Sequence, residues 1–139
     1  MSFYFEDLSE GQSAEFTQVA SDEAVQAFAD LSGDHNPIHL DEAYARTTQF
    51  GGRIAHGMLS GAYISAALAS KLPGPGAVYL SQSIRFRRPV RVGESVTARV
   101  TVKALDEQRA HATLTTVCEV NGKVVVEGEA VVMVPRRPA

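Results

Sequence analysis

The chain has 139 residues, 45% of them hydrophobic and 21% charged, with a formal net charge of −3. That size and composition suit one globular domain, 1–139, with a single core, and the absence of a basic block argues against nucleic acid as a partner. The lone cysteine, Cys118, forbids an internal disulfide, and the acidic start MSFYFEDLSEG lacks the basic and apolar regions of a signal peptide, so a cytoplasmic setting is expected.

In chain order, a strand is expected near Ala14 to Val19. A helix follows: Ser21 reads as its N-cap, Asp22 and Glu23 as its acidic first turn, Val25, Phe28, Ala29 and Leu31 as its apolar face, and Gly33 as its end. Asp34 therefore leaves a helix C-terminus directly. Pro37 drives Asn36 out of the α region, so Asp34 and His39 do not share a regular helix and are expected together on a loop. A short helix is expected from Asp41 to about Arg46. A long apolar helix runs from Gly57 to about Lys71, free of proline and polar only at Ser60, Ser65 and Ser70. Small residues at Gly61, Ala62, Ala66, Ala67 and Ala69 suit close packing on this helix, which is expected to be wrapped. It is too short and too rich in Gly and Ser to span a bilayer, which takes about 20 apolar residues, so no membrane partner is expected.

The period then changes. Val78 to Phe86, Ser95 to Ala104, Ala110 to Val120 and Val124 to Val134 are rich in β-branched residues and are separated by turn signals at Pro89, Gly93, Asp106 and Asn121-Gly122. Short connections favour antiparallel pairing, and Asn-Gly between two apolar runs marks a hairpin. The economical packing is α+β, one buried helix against one curved antiparallel sheet.

Chemistry concentrates between Asp34 and Gly57. A carboxylate and an imidazole beside one stiffened turn can share proton transfers and activate water; the bland alternative is an Asx turn with an idle histidine nearby. Gly57 opens the long helix, where backbone N–H groups lack intrahelical partners, so it can hold a developing oxyanion or merely ease a tight start. His56 either lines that site or only caps the helix. Pro37 between His35 and His39 breaks the helix that would make them a metal pair, so no metal is expected.

Three motifs in order, GDHNPIHLD, IAHGMLSGAYIS and RFRRPVRVGE, resemble the hot dog fold, in which a curved antiparallel sheet wraps a long central helix. More narrowly they resemble the MaoC-like (R)-specific enoyl-CoA hydratase family, from Ser21 to about Val134. The family's hydratase motif falls on Asp34, Asn36, Pro37, Ile38 and His39, its oxyanion donor on the N–H of Gly57, and its helix serine on Ser65. The resemblance implies reversible syn hydration of a trans-2-enoyl-CoA to an (R)-3-hydroxyacyl-CoA by the dyad Asp34 and His39, with Ser65 orienting it. No cofactor is needed beyond the coenzyme A of the substrate. Asn36, His56, Leu59 and Tyr63 are candidates to line the substrate site, and Arg87 and Arg88 to meet the phosphates of the acyl-CoA thioester. A homodimer is expected, because one sheet leaves an edge strand unpaired and too little cover for the helix. The competing readings are a thioesterase and a non-catalytic acyl-thioester-binding subunit, since the fold alone does not fix function.

Overall fold

Residues 2–139 are described by a computed structural model. Six strands form one antiparallel sheet in the order β1-β4-β5-β6-β2, with the two-residue β3 also paired to β6. The strands are β1 (Ser13–Val19), β2 (Val78–Gln82), β3 (Arg85–Phe86), β4 (Ser95–Asp106), β5 (His111–Val120) and β6 (Lys123–Met133). Alternation makes the sheet one-sided. Val96, Ala98, Val100 and Val102 of β4 and Ala112, Leu114, Thr116 and Cys118 of β5 are buried, while the residues between them face outward. Val120 pairs with Lys123 across the two-residue loop Asn121-Gly122, at φ of 51° and 77°; both central residues in the left-handed region is the turn that Asn-Gly prefers.

Among the described residues, four α-helices precede the main hairpins: α1 (Asp22–Ser32), α2 (Pro37–Leu40), α3 (Glu42–Ala45) and α4 (Gly57–Ser70). Ser21 caps α1 by accepting from the N–H of Ala24, and Gly33 ends it at φ 84°. The expected short helix is α3, capped by the Asp41 carboxylate on the N–H of Tyr44. Leu59, Ser60, Tyr63, Ile64, Ala67 and Leu68 of α4 are buried against the sheet. Among the described residues no helix is long and apolar enough to cross a membrane.

Three expectations need correction. The run expected as one strand, Val78 to Phe86, is broken into β2 and β3. The carbonyl of Ser83 crosses β6 directly over Gly128, where a Cβ would lie 1.9 Å from Ser83 O. His39 lies on a helix and not on the loop. Proline is well tolerated as the first helical residue, Asn36 stays extended (φ −53°, ψ 125°) and its side-chain oxygen accepts from the N–H of Ile38, so the Asx-Pro turn begins α2. Lastly, the single chain wraps α4 on one face only: Met58 is 55% exposed, and Ala62 and Ala69 also face outward.

Candidate active site

The sheet and α4 leave a cleft of about 510 Å³ at the start of α4, within the range of small-molecule sites. Asp34, His39, Ile54, His56, Gly57, Ser60, Phe86, Arg87 and Arg88 contribute to its lining. Residues more than fifty positions apart therefore share one wall.

His39 is buried on α2, and its Nδ1–H donates to the carbonyl of Ile54 at 2.7 Å. That bond fixes the tautomer, so Nε2 carries the lone pair. Burial pushes the pKa of His39 below the ordinary 6.5; the Ile54 hydrogen bond and the Asp34 charge oppose this, and repulsion from His56 adds to it. His39 therefore enters the neutral range as an uncharged base. Its own carbonyl accepts from Arg53 Nε at 2.7 Å, and the same guanidinium donates to Asp22 at 2.6 Å, tying α2 to α1.

Asp34 stands on the exposed loop after α1. Its Oδ1 accepts from the N–H of Asn36 at 3.2 Å, the residue lines the cleft, and one carboxylate oxygen lies within 4.8 Å of a ring nitrogen of His39 and of His56. His56 reaches across: its Nε2–H donates to the Asp34 carbonyl at 3.0 Å and its ring overlaps that of His39, with centres 3.9 Å apart and 31° between the planes. Gly57 is the first residue of α4, so its N–H has no partner earlier in the helix. The ring of Phe86 lies against it so closely that a Cβ on Gly57 would sit 2.6 Å from Phe86 Cε1. No positive φ demands glycine at this position. Close approach of a neighbouring ring does.

One donor atom each from Asp34, His39 and His56 falls within 4.8 Å of the others, the spacing of a small metal site. The set fits a metal poorly. The two imidazoles meet through their faces, whereas coordination uses lone pairs in the ring planes, and His56 Nε2 is committed to the Asp34 carbonyl.

Of the residues expected at the site, Asp34, His39, His56, Gly57, Arg87 and Arg88 meet at the cleft. Four do not. Ser65 lies two turns further along α4 and lines a separate groove with Phe28, Met58, Tyr79 and Leu80, apart from the cleft of Asp34 and His39 in its own chain. Orientation of His39 falls instead to the Ile54 carbonyl. Leu59 and Tyr63 point into the core, Tyr63 packing on Phe16 and donating to the Val19 carbonyl at 3.3 Å. Asn36 spends its side chain capping α2. Cys118 is buried against the Ser60 carbonyl, and burial raises its thiol pKa to about 12, which leaves it an unreactive core residue. Arg87 pairs with Glu127, and Arg88 donates to the Val124 carbonyl at 2.6 Å, so both begin partly engaged.

Sequence reading missed Ile54, Arg53 and Phe86. The first acts through a backbone carbonyl, which no residue type signals. Arg53, beside the Gly51-Gly52 turn, gave a cue only as an arginine next to an apolar run. Phe86 is 29 residues from Gly57 and meets it only through sheet pairing.

Residues 7–131 match the profile of the MaoC like domain. An (R)-specific enoyl-CoA hydratase of Rhodospirillum rubrum is 55% identical over 134 residues, covering 96% of this chain and 93% of that protein. The unliganded R-hydratase of Pseudomonas aeruginosa superposes with a TM-score of 0.94 at 47% identity, covering 98% of this chain and 88% of that one. An (R)-hydratase of Aeromonas caviae involved in PHA biosynthesis superposes at 0.91, also at 47% identity, covering 94% and 99%.

Proposed function

The chain belongs to the MaoC-like domain family, and from that premise we propose how its residues divide the work. The activity is that of an (R)-specific enoyl-CoA hydratase, a hydro-lyase that reversibly adds water to a trans-2-enoyl-CoA to give an (R)-3-hydroxyacyl-CoA. Water rests between the Asp34 carboxylate and the free Nε2 of His39. As its oxygen bonds to C3, its proton passes to this pair and the electrons of the double bond move onto the thioester oxygen, which accepts from the N–H of Gly57. The enolate then takes a proton at C2. The N–H of His39 points away, into Ile54, so the pair holds no imidazole proton toward the cleft beforehand and C2 receives the one that water surrendered. Both additions then come from one side, and hydration is syn. No cofactor enters beyond the coenzyme A carried by the substrate, whose phosphates meet Arg87 and Arg88 at the cleft.

The 2.7 Å hydrogen bond from His39 Nδ1–H to Ile54 carries this reading, because it presents a lone pair to the same cleft as Asp34 and Gly57. Hydration of crotonyl-CoA in deuterated water tests it. The expected product is one enantiomer, (R)-3-hydroxybutyryl-CoA, with deuterium at C2 on the face that received oxygen; anti addition demands a separate proton donor and refutes the shared pair.

The working unit in this proposal is a homodimer. β2 is an unpaired sheet edge, and its Val78, Tyr79 and Leu80 are 40–48% exposed beside the uncovered face of α4. Pairing two such edges would cover the apolar surface and both strands. Sedimentation giving only a monomer at micromolar concentration contradicts it.

A further inference from the structure

We propose that His56 is a positioning residue that sets the separation of the two dyad members, holding Asp34 by its backbone and His39 by its ring. The inference rests on the assignment of Asp34 and His39 as the proton-transfer pair.

His56 is the N-cap of α4 yet caps nothing: its side chain makes no bond to the helix start. The residue is 2% exposed. Its hydrogen on Nε2 goes to the Asp34 carbonyl, 22 residues back, and Nδ1 is fully buried with no hydrogen-bond partner among the described residues. A buried acceptor without a donor is a standing cost that an apolar ring of similar shape would not carry. What a phenyl ring could not supply is the donor to Asp34.

That donor matters because of how the loop is otherwise held. Asp34 N–H donates to Ser32 Oγ, His35 N–H to the Gly33 carbonyl, Asn36 N–H to Asp34 Oδ1, and the His35 ring pairs with Asp30. All of these stay within the segment and the last turn of α1. Among the described residues, the bond from His56 is the only hydrogen bond that ties positions 34–36 to a part of the chain beyond α1 and α2. His39, by contrast, has two independent clamps, Ile54 on its ring and Arg53 on its carbonyl. Asn36 already ties the loop to α2, through the N–H of His39 on its carbonyl at 3.0 Å, and His56 adds the bond that fixes Asp34 against the start of α4; its ring also packs on Phe28, 4.8 Å between centres.

Two substitutions separate the parts. His56→Phe keeps an aromatic face against His39 and removes the donor; His56→Gln keeps an N–H donor and removes the ring. In a crotonyl-CoA hydration assay His56→Phe is expected to lower kcat about 10- to 100-fold with KM within about twofold, the cost of a misplaced reacting group. His56→Gln should retain more kcat than His56→Phe, an order that a purely structural role would not impose. Imidazole ¹⁵N chemical shifts of the wild-type protein give a readout that needs no variant, with His56 expected as the Nε2–H tautomer. Wild-type kcat in folded His56→Phe, or an Nδ1–H tautomer at His56, overturns the proposal. Asp34→Asn and His39→Gln run in the same assay keep the two levels apart: their retained activity would remove the dyad itself, whereas their loss beside an active His56→Phe removes only the role of His56.

Discussion

Replacing Gly128 by alanine should both destabilise the protein and damage the cleft. The new Cβ would lie 1.9 Å from the oxygen and 2.7 Å from the carbon of the Ser83 carbonyl, far inside van der Waals contact, and backbone cannot rotate away as a side chain tip can. Relief requires the Ser83 segment to lift by more than an ångström. That would strain or break the bonds that bracket the crossing, Ser83 N–H to Glu129 O at 2.8 Å and Glu129 N–H to Ser83 Oγ at 3.0 Å. Two hydrogen bonds at about 1 kcal/mol each, with about 1–3 kcal/mol of overpacking strain, outweigh the roughly 0.4–1 kcal/mol gained by restricting the unfolded chain. The net loss is about 2–5 kcal/mol, or roughly 6–15 °C in Tm for a chain of this size. The lifted segment leads directly into β3, where Arg85 pairs with Glu127 and Phe86 with Val126, so Phe86, Arg87 and Arg88 would shift with it. Thermal melts at fixed protein concentration, followed by crotonyl-CoA kinetics on the surviving folded protein, measure both effects. A Tm within about 1 °C of wild type, with unchanged KM, would refute the account of why this glycine is there.

Asp34→Asn and His39→Gln should each lower kcat by about 10² to 10⁴ in folded protein, with the double variant losing far less than the product of the two; activity within about threefold in either removes the dyad. The lowered pKa of His39 implies that kcat/KM holds its plateau below pH 6.5 and falls only as His39 takes a proton at its depressed folded value; a limb centred above 6.5 contradicts this. The same shift has a stability consequence of definite sign. Between the depressed folded value and 6.5 the unfolded chain binds more protons, so stability is lost as pH falls through that window, and His39→Gln should flatten the slope in urea melts. Gly57→Ala should leave Tm within a few degrees, since the clash is with the ring edge of the Phe86 side chain, yet reduce kcat about tenfold or more by displacing that ring from the N–H of Gly57, the proposed oxyanion donor. Arg88→Gln should raise KM for crotonyl-CoA but not for a crotonyl thioester truncated at pantetheine, and an equal rise for both argues against phosphate contact.

The elements legible in the sequence were those whose signals are local. Ser21 and Gly33 bound α1 because a cap and a left-handed terminus act within four residues, and Asn121-Gly122 fixed its hairpin because two positive φ angles suffice. The break at Ser83 was hidden because its cause, Gly128, lies 45 positions away and acts only once β6 is paired. The same divide runs through the site. Asp34, His39 and Gly57 are picked out by residue type, spacing and resemblance, but the partners of His39 and His56 are the carbonyls of Ile54 and Asp34, and a carbonyl looks the same in every residue. The core placement of Leu59 and Tyr63 is not legible in the sequence because α4 is apolar all round, so periodicity cannot say which face meets the sheet.

That uniform apolarity has its own physical consequence. A helix apolar on every face is stable in water only if every face is covered. The sheet covers the face of Leu59, Tyr63, Ile64, Ala67 and Leu68, whereas Met58, Ala62 and Ala69 lie open beside the apolar β2 edge. Small residues predominate on the open face, which allows a second surface to approach the helix axis closely, and large ones on the covered face, which fill the concave sheet. A partner that docks there must also satisfy the free hydrogen-bonding groups of β2, and a second copy of β2 does so by antiparallel pairing without any new sequence. Charge placed at Leu80, 46% exposed on that edge, should therefore weaken the proposed homodimer while leaving intact the monomer's core, in which Leu80 has no part. Leu80→Asp would then sediment as monomer with a near-unchanged far-ultraviolet circular dichroism spectrum, and persistence of a dimer in that variant would move the interface elsewhere.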